Sequence, residues 1–192
     1  MSEDERAAWE QRHRAANEPG EPEPFVVEVM PLLVARRGLA LDAAAGRGRH
    51  SILLARAGMR VLAVDYAEAG LRMLLAGARA ERLPIWPVLA DLASFPIRAE
   101  TYDAIIDTNF LDRALFPAFK AGLRPGGVLL VDTFLIDQAA FGHLRNPLHL
   151  LDRGELRELL SGLDILRYRE GRVISPDGTE SYRASAIAMR RR

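Results

Sequence analysis

Four aspartates stand at the ends of four apolar stretches that follow one another along the chain. Asp42 ends "LALD", Asp65 ends "RVLAVD", Asp91 ends "IWPVLAD" and Asp107 ends "YDAIID". Short apolar runs that alternate with helical patterns predict parallel strands, whose carboxyl ends lie along one edge of a sheet. A single aspartate of this kind often caps a helix or a turn. Four in succession predict a ligand beyond that edge, where open α/β sheets bind their ligands.

The stretch "ALDAAAGRGRH" places a Gly46-x-Gly48 pair just after the first of these strands. Glycine has no Cβ, so the backbone there can approach a ligand closely, and a following helix aims its N–H groups at that ligand. Asp65 ends the next strand about twenty residues later, where a carboxylate can accept hydrogen bonds from ribose hydroxyls. Together these features predict a nucleoside ligand.

The residues around the glycine pair bear on which nucleoside is bound. The dinucleotide fingerprint is Gly-x-Gly-x-x-Gly/Ala, and here Ser51 stands at its third small position. Asp42 precedes the loop, and its charge would repel a pyrophosphate. A ligand that carries an amine or a sulfonium is favoured instead.

The composition excludes several other classes of protein. The 192 residues fit one domain, and 26 basic against 26 acidic residues give no charge excess for a nucleic acid or an anionic membrane. There is no cysteine, hence no disulfide, thiolate metal site or cysteine nucleophile, and we predict no metal. The acidic start "MSEDER" is unlike a signal peptide, and no apolar run approaches the roughly 18 residues of a membrane span. The cytoplasm is the default prediction.

The elements that must position these residues alternate between strand and helix from Gly38 onward, which predicts a parallel sheet with helices on both faces. Before that point, residues 3–16 predict a polar helix, and "FVVEVMPLLVARRG" predicts a second helix that ends at Gly38. The stretch "LFPAFKAGLRPGG" predicts a helix with "PGG" beyond its end. At the carboxyl end, "LDILRYRE" and "ESYRASAIAMR" predict an antiparallel pair. The fold class is therefore α/β, doubly wound and Rossmann-like, with a mostly parallel seven-stranded sheet and an antiparallel carboxyl-terminal strand pair.

These motifs resemble the class I, Rossmann-like S-adenosylmethionine-dependent methyltransferases over about residues 38–190. "ALDAAAGRGRHSILLARAG" is similar to the first motif of that family, "VLAVD" to the second and "VLADLASFP" to the third. "YDAIIDTNFL" and "LRPGGVLLVDTF" resemble its fourth and sixth motifs. The loop "RNPLHLL" and the segment "WEQRHRAANEPGEPEPFV" are most similar to the small bacterial tellurite-resistance and thiopurine type. That segment implies an amino-terminal lid and linker over residues 1–24, before a single methyltransferase domain over residues 25–192.

The resemblance implies that the cofactor is S-adenosyl-L-methionine, and it implies roles for individual residues. The methionine end would meet the loop, the ribose and adenine would meet the second and third motifs, and the reactive methyl would lie near the fourth. The implied cofactor-binding residues are Asp42, Ala44, Gly46, Gly48, Arg49, Asp65, Tyr66, Asp91, Leu92, Asp107 and Thr108. One of them departs from the family pattern, since Ala44 stands at its first glycine. Alanine suits that turn only if its φ is negative.

Methyl transfer from a sulfonium is an in-line displacement in which the protein mainly supplies alignment and desolvation. A base is needed only when the acceptor must lose a proton, so the catalytic residues are left open. The long loop "FLIDQAAFGHLRNPLHLL" supplies His143 and His149 as candidate bases and Arg145 to orient an anionic acceptor. Trp9 and Arg12 on the first helix are candidates to close over the site.

Three functions remain open at this point. The first is a methyltransferase that acts on a small-molecule acceptor, with a soft sulfur, selenium or tellurium nucleophile as the leading hypothesis. The second is a non-catalytic module that binds the cofactor or a partner. The third is a nicotinamide-dependent oxidoreductase, against which Asp42, Ser51 and the terminal antiparallel pair all count. The sequence names neither the acceptor nor the oligomeric state.

Overall fold

The computed structural model describes residues 3–141, 146–175 and 178–192, and its centre is a seven-stranded sheet. The strands are β1 (Leu39–Ala43), β2 (Arg60–Asp65), β3 (Ile85–Leu89), β4 (Tyr102–Thr108), β5 (Leu123–Phe134), β6 (Asp164–Ile174) and β7 (Glu180–Met189). Their order is β3-β2-β1-β4-β5-β7-β6. The first five are parallel, and β7 runs antiparallel to both β5 and β6. The predicted fold class is confirmed.

The chain reverses its direction across the sheet between β1 and β4. From β1 it proceeds to β2 and β3 on one side, and then returns to β4 and β5 on the other. Asp42 pairs with Ile106 and Ala43 with Asp107, so the ends of these two strands lie side by side. Because the connections that leave β1 and β4 diverge, a crevice opens between them, and ligands of such sheets bind there.

Helices cover both faces of the sheet. They are α1 (Glu3–Arg14), α2 (Pro24–Glu28), α3 (Met30–Leu33), α4 (Arg49–Arg56), α5 (Glu68–Ala80), α6 (Phe116–Gly122) and α7 (Glu155–Leu159). One apolar core lies under α2 to α5 and contains Phe25, Leu54 and Leu74, while the other lies under α6 and α7 and contains Phe119 and Leu156. Within the described residues, no helix is long and apolar enough to cross a bilayer.

Two predicted helices differ from the observed ones. The helix expected from Phe25 to Gly38 is two short helices, α2 and α3, which meet at Val29. Pro31 accounts for this break, because its ring clashes with the carbonyl four residues earlier and disfavours a helical residue before it. The "PGG" expected beyond α6 lies within β5, which already begins at Leu123.

Candidate functional site

The turn between β1 and α4 has three residues in the left-handed region. They are Ala44, Gly46 and Gly48, with φ of 56°, 54° and 81°. Helix α4 begins directly after Gly48, and a Cβ on that glycine would lie 2.2 Å from the side chain of Leu74 on α5. A Cβ on Gly70 would lie 2.6 Å from the carbonyl oxygen of Gly46. The first turns of α5 therefore pack directly against the turn, and they leave no room for larger residues.

The positive φ of Ala44 explains what its departure from the family pattern means. The turn needs a left-handed conformation at this position, which glycine adopts freely and alanine adopts at a cost. Alanine is thus in the unfavourable case that the sequence left open. The chain holds the conformation nonetheless, because Ala45 donates its N–H to Val64 on β2 at 3.1 Å and Gly48 donates its own to Ala45 at 2.9 Å.

Asp65 at the end of β2 binds the turn directly. Its carboxylate accepts hydrogen bonds from the backbone N–H groups of Gly46 and Ala67, each at 2.7 Å. Burial raises the pKa of Asp65, and these two hydrogen bonds work against that rise. Asp65, the acid predicted to hold the ribose, is therefore in direct contact with the glycine turn.

Asp42 is also buried at the end of β1, but its carboxyl turns toward α4. Its Oδ2 accepts a hydrogen bond of 2.6 Å from the hydroxyl of Ser51. Burial raises the pKa of Asp42 to about 6, against the hydrogen bond from Ser51. Ser51, which interrupts the dinucleotide pattern, therefore has a partner that explains its presence.

Asp107 differs from the other buried acids at this edge. It is fully buried, and neither of its carboxyl oxygens has a hydrogen-bond partner among the described residues. Burial raises its pKa well above the ordinary value, and the nearby carboxyls of Asp42 and Asp112 raise it further. An isolated buried carboxyl is costly, so this arrangement suits a cationic ligand group that would pair with it.

The remaining predicted cofactor residues are placed as follows. Tyr66 is half-buried and follows Asp65, whereas Leu92 is buried in the core under α6 and α7. Asp91 lies two residues beyond β3, is exposed, and accepts a hydrogen bond from the N–H of Ala93. Arg49, at the start of α4, forms an ion pair of 2.7 Å with Glu23.

His50 and Glu23 are part of the site and were missed by the sequence reasoning. The Nε2 of His50 accepts a hydrogen bond of 3.0 Å from the backbone N–H of Glu23, and its Nδ1 lies 3.0 Å from the hydroxyl oxygen of Thr108. The carboxylate of Glu23 binds Arg49 and accepts a hydrogen bond from Asn109 at 2.9 Å. The segment before α2 therefore contacts both the end of β4, through Asn109, and the start of α4, through Arg49 and His50.

A second group of polar residues lies behind Asn109, on β5 and β7. The guanidinium of Arg183 donates to the carboxylate of Asp132 at 2.9 Å and to the side-chain oxygen of Asn109 at 2.7 Å. Ser185 donates to the same carboxylate oxygen of Asp132 at 2.7 Å. All of these partners are far apart in the chain, which is why periodicity and motif spacing gave no signal for them.

Helix α1 lies over the turn. A Cβ on Gly46 would be 3.2 Å from the Cε1 of His13, and the carboxylate of Glu10 accepts a hydrogen bond from the N–H of Ala69 at the start of α5. Trp9 stacks on His13, and the guanidinium of Arg12 lies over the Trp9 ring. His13 therefore reaches the turn and Glu10 reaches the start of α5, whereas the predicted Trp9 contacts His13 and the predicted Arg12 contacts Trp9.

The long loop after β5 is described only in part. His143 and Arg145, a candidate base and a candidate anion ligand, lie outside the described residues. His149 ends a short 3₁₀ turn (Pro147–His149), and Arg113 holds this turn by donating to the carbonyls of Leu148 and Leu150. Among the described residues, no group of three histidines or acids is arranged to hold a metal ion.

The comparisons with known proteins agree with the fold and with this edge. Residues 40–127, a little under half of the chain, match the family model of a methyltransferase domain, and solved S-adenosylmethionine-dependent methyltransferases share the fold. The resemblance seen in the motifs is confirmed.

Particular relatives are similar to this chain to different degrees. TehB from Haemophilus influenzae has a TM-score of 0.76 at 22% identity, over 88% of this chain and 63% of that chain. A 1,6-didemethyltoxoflavin-N1-methyltransferase from Burkholderia thailandensis, solved with 1,6-didemethyltoxoflavin and S-adenosylhomocysteine bound, has a TM-score of 0.66 at 19% identity, over 88% and 78% of the two chains. Likeness at this level of identity shows the fold. "Hemagglutinin 1" from Eikenella corrodens is 30% identical over 142 residues, which span 68% of this chain and 45% of that protein.

Proposed function

We propose that this protein is an S-adenosylmethionine-dependent methyltransferase that acts on a small-molecule acceptor. The observation that carries the proposal is the contact of 2.7 Å between the Asp65 carboxylate and the backbone N–H of Gly46. This contact supports the proposal, because it joins a carboxylate suited to ribose hydroxyls to a glycine turn of the kind whose backbone can approach a ligand. The methyltransferase domain match and the structural neighbours support the same function.

The residues at this edge fit that cofactor. Asp65 would accept hydrogen bonds from the ribose, and the turn from Ala44 to Gly48 would lie along the methionine end. The unpartnered carboxyl of Asp107 fits the cationic part of the ligand, since burial without a countercharge raises its pKa and a nearby cation would stabilise its ionised form. When bound, the cofactor supplies an activated methyl group.

The chain's own contribution to methyl transfer is positional. An in-line displacement needs the acceptor and the methyl group aligned and shielded from water, and this alignment contributes several kcal/mol to lowering the barrier, up to roughly 7–11. Thr108 lies at the end of β4 with its hydroxyl fixed by His50, beside the place where the reactive methyl is expected. The acceptor is a small molecule whose identity these residues leave open, with a soft nucleophile as the first hypothesis.

Calorimetric titration with S-adenosylmethionine, S-adenosylhomocysteine and NAD tests the proposal. We expect both adenosyl ligands to bind and NAD to fail, and the Asp65→Ala substitution to weaken binding at least about tenfold, since a charge-assisted hydrogen bond is worth roughly 1.5–3 kcal/mol. Glu68→Ala is a matched control, because that carboxylate lies three residues away and pairs with Arg72 at the surface. Failure of both adenosyl ligands to bind the wild-type protein would refute the proposal.

Two observations favour a second candidate, a cofactor-binding module without catalysis. Helix α1 already covers the turn through His13, and Ala44 adopts a conformation that alanine disfavours. Both features would be tolerated in a protein that binds its ligand and does not turn it over. Binding of S-adenosylmethionine, combined with no methyl transfer across a broad panel of thiols, amines and oxyanions, would favour this candidate.

We further infer that residues 1–24 form a lid and linker before a methyltransferase domain over residues 25–192. The position of His13 over Gly46 supports a lid, because α1 contacts the turn that the cofactor would share. Location in the cytoplasm and a role without nucleic acid or membrane stay predictions from the sequence.

A further inference from the structure

His50 joins two parts of the site that are distant in the chain. It lies buried in the first turn of α4, with Glu23 placed 27 residues before it and Thr108 placed 58 residues after it. One ring nitrogen contacts the segment that precedes α2, and the other contacts the end of β4, where the ligand is expected. The ring is therefore one connection between them.

The hydrogen-bond partners define which nitrogen carries the hydrogen. A backbone N–H can only donate, so the Nε2 that faces Glu23 must be the bare nitrogen. The hydrogen of the neutral ring is then on Nδ1, which donates it to the hydroxyl oxygen of Thr108. With that contact made, the hydroxyl hydrogen of Thr108 must point elsewhere.

The ring stays neutral in the physiological range. Burial, together with the charge of Arg49, lowers the pKa of His50 to about 3. Glu23 works against this shift, and Arg183 adds to it. A doubly protonated ring would also lose the hydrogen bond from Glu23, because it would have no bare nitrogen.

The segment that His50 holds is fastened at a second point. The side chain of Glu23 binds Arg49 on α4 and Asn109, the residue after Thr108. The backbone and the side chain of one residue thus contact two consecutive residues at the end of β4, one through His50 and one directly. These contacts link the segment before α2 to the end of β4 at two points.

We propose that His50 is a positioning residue, which couples the docking of the segment before α2 to the orientation of the Thr108 hydroxyl, so that Thr108 donates its hydrogen to the bound ligand. No other partner of this hydroxyl is present in the described part of the chain, and its hydrogen is directed away from the ring. The ligand atom that meets Thr108 must then carry a lone pair. The inference rests on the proposed function for the identity of that ligand.

Two substitutions at position 50 separate the two contacts. The side-chain nitrogen of asparagine takes the place of Nδ1, so His50→Asn keeps a donor for Thr108 and loses the acceptor for Glu23. The longer glutamine reaches the place of Nε2, so His50→Gln keeps the acceptor for Glu23 and loses the donor for Thr108. If His50 served only to fill the core, His50→Asn and His50→Gln would have the same defects.

The experiment measures two quantities on the full chain, namely the exchange rate of the Glu23 amide and the affinity for S-adenosylhomocysteine. We expect His50→Asn to speed amide exchange and keep most of the affinity. We expect His50→Gln to keep the amide protected and to lose about three- to tenfold in affinity, as for one neutral hydrogen bond. Thr108→Val should lose affinity as His50→Gln does, and Thr108→Ser should restore it. Glu68→Ala should leave both quantities unchanged.

Equal defects in the two His50 variants, or full affinity in Thr108→Val, would overturn the inference. If the wild-type protein fails to bind the ligand, the proposed function fails, and amide exchange then decides about the coupling. In that case Thr108→Val should still speed exchange at Glu23, because a ring without its contact to Thr108 is held less firmly against the Glu23 amide. Unchanged exchange at Glu23 in Thr108→Val would refute the coupling independently of the ligand.

Discussion

The Asp42→Asn substitution should make the protein more stable at neutral pH. Asp42 is almost completely buried in the sheet, and its carboxyl contacts Ser51. Burial raises the pKa of this carboxyl from 3.8 to about 6. Asparagine has nearly the same shape and can still accept the hydrogen bond, but it has no proton to lose.

The magnitude follows from proton linkage. Below the unfolded pKa of 3.8, Asp42 is protonated in both states and its contribution to stability is fully present. As the pH rises toward about 6, the unfolded chain loses this proton while the folded protein keeps it, so the free energy of unfolding falls. Each unit of pKa difference corresponds to about 1.36 kcal/mol, so the loss is about 3 kcal/mol by pH 7. The asparagine side chain of the variant avoids this loss.

Urea denaturation of the ligand-free protein between pH 4 and pH 8, at intervals of roughly half a pH unit, measures this difference. The pKa values of Asp65 and Asp107 are also raised. The free energy of unfolding of the wild type should therefore fall with pH by more than Asp42 alone explains. The difference between wild type and Asp42→Asn isolates its share. It should grow between pH 4 and 6 and then level off.

Ser51→Ala provides the matched variant. The hydrogen bond from Ser51 lowers the pKa of Asp42, so its removal should move the end of the pH window above 6. A difference between wild type and Asp42→Asn that is constant with pH would refute the reasoning. It would mean that the carboxyl titrates in the folded protein as it does in the unfolded chain.

Three further substitutions test other parts of the site. Asp107→Asn should weaken S-adenosylmethionine binding about tenfold and abolish the proton release that we expect on binding to the wild type, measured by calorimetry in buffers of different ionisation enthalpy. Gly70→Ala places a methyl group 2.6 Å from the backbone oxygen of Gly46, so the midpoint of thermal unfolding should fall. Gly77→Ala is the control on the same helix: the nearest atom to its methyl group is 3.5 Å away, so the midpoint should not fall. Ala44→Gly removes a left-handed alanine, which should stabilise the protein by roughly 1–2 kcal/mol. Glycine also gives the unfolded chain more conformational freedom, which should destabilise the folded state by about 0.4–1 kcal/mol. Denaturation should therefore show a net gain of about 0.5 kcal/mol in the free energy of unfolding, and a loss would contradict the strain.

The sheet was predictable because local patterns determine it. Apolar runs that end in an acid gave β1, β2 and β4, and the alternating carboxyl-terminal segments gave the antiparallel pair. The break between α2 and α3 was not predicted, although the sequence holds its signal: Pro31 stands where a continuous helix from Phe25 would need a backbone donor. The start of β5 at Leu123 was less accessible, because its first residues pair irregularly with β4 around Tyr102.

The site was predictable only where it lies in local motifs. The glycine turn and Asp65 are close in sequence, and the structure brings them into contact. The contacts of Glu23 and Arg183 depend on chain segments that meet only after folding, so spacing carries no signal for them. His50 stood inside the quoted motif, yet its role appears only when both of its ring nitrogens are assigned partners.

The buried acids at this edge argue for a ligand more strongly than their positions alone do. A protein that served only as a folded domain would gain stability by replacing Asp42 and Asp107, because both are held at a pKa above the ordinary value. Asp42 retains its partner Ser51, whereas Asp107 has no partner in the described residues. A pyrophosphate beside Asp107 would raise that cost, whereas a cation would reduce it. The same carboxyl therefore explains both a loss of stability in the free protein and a preference for a positively charged ligand.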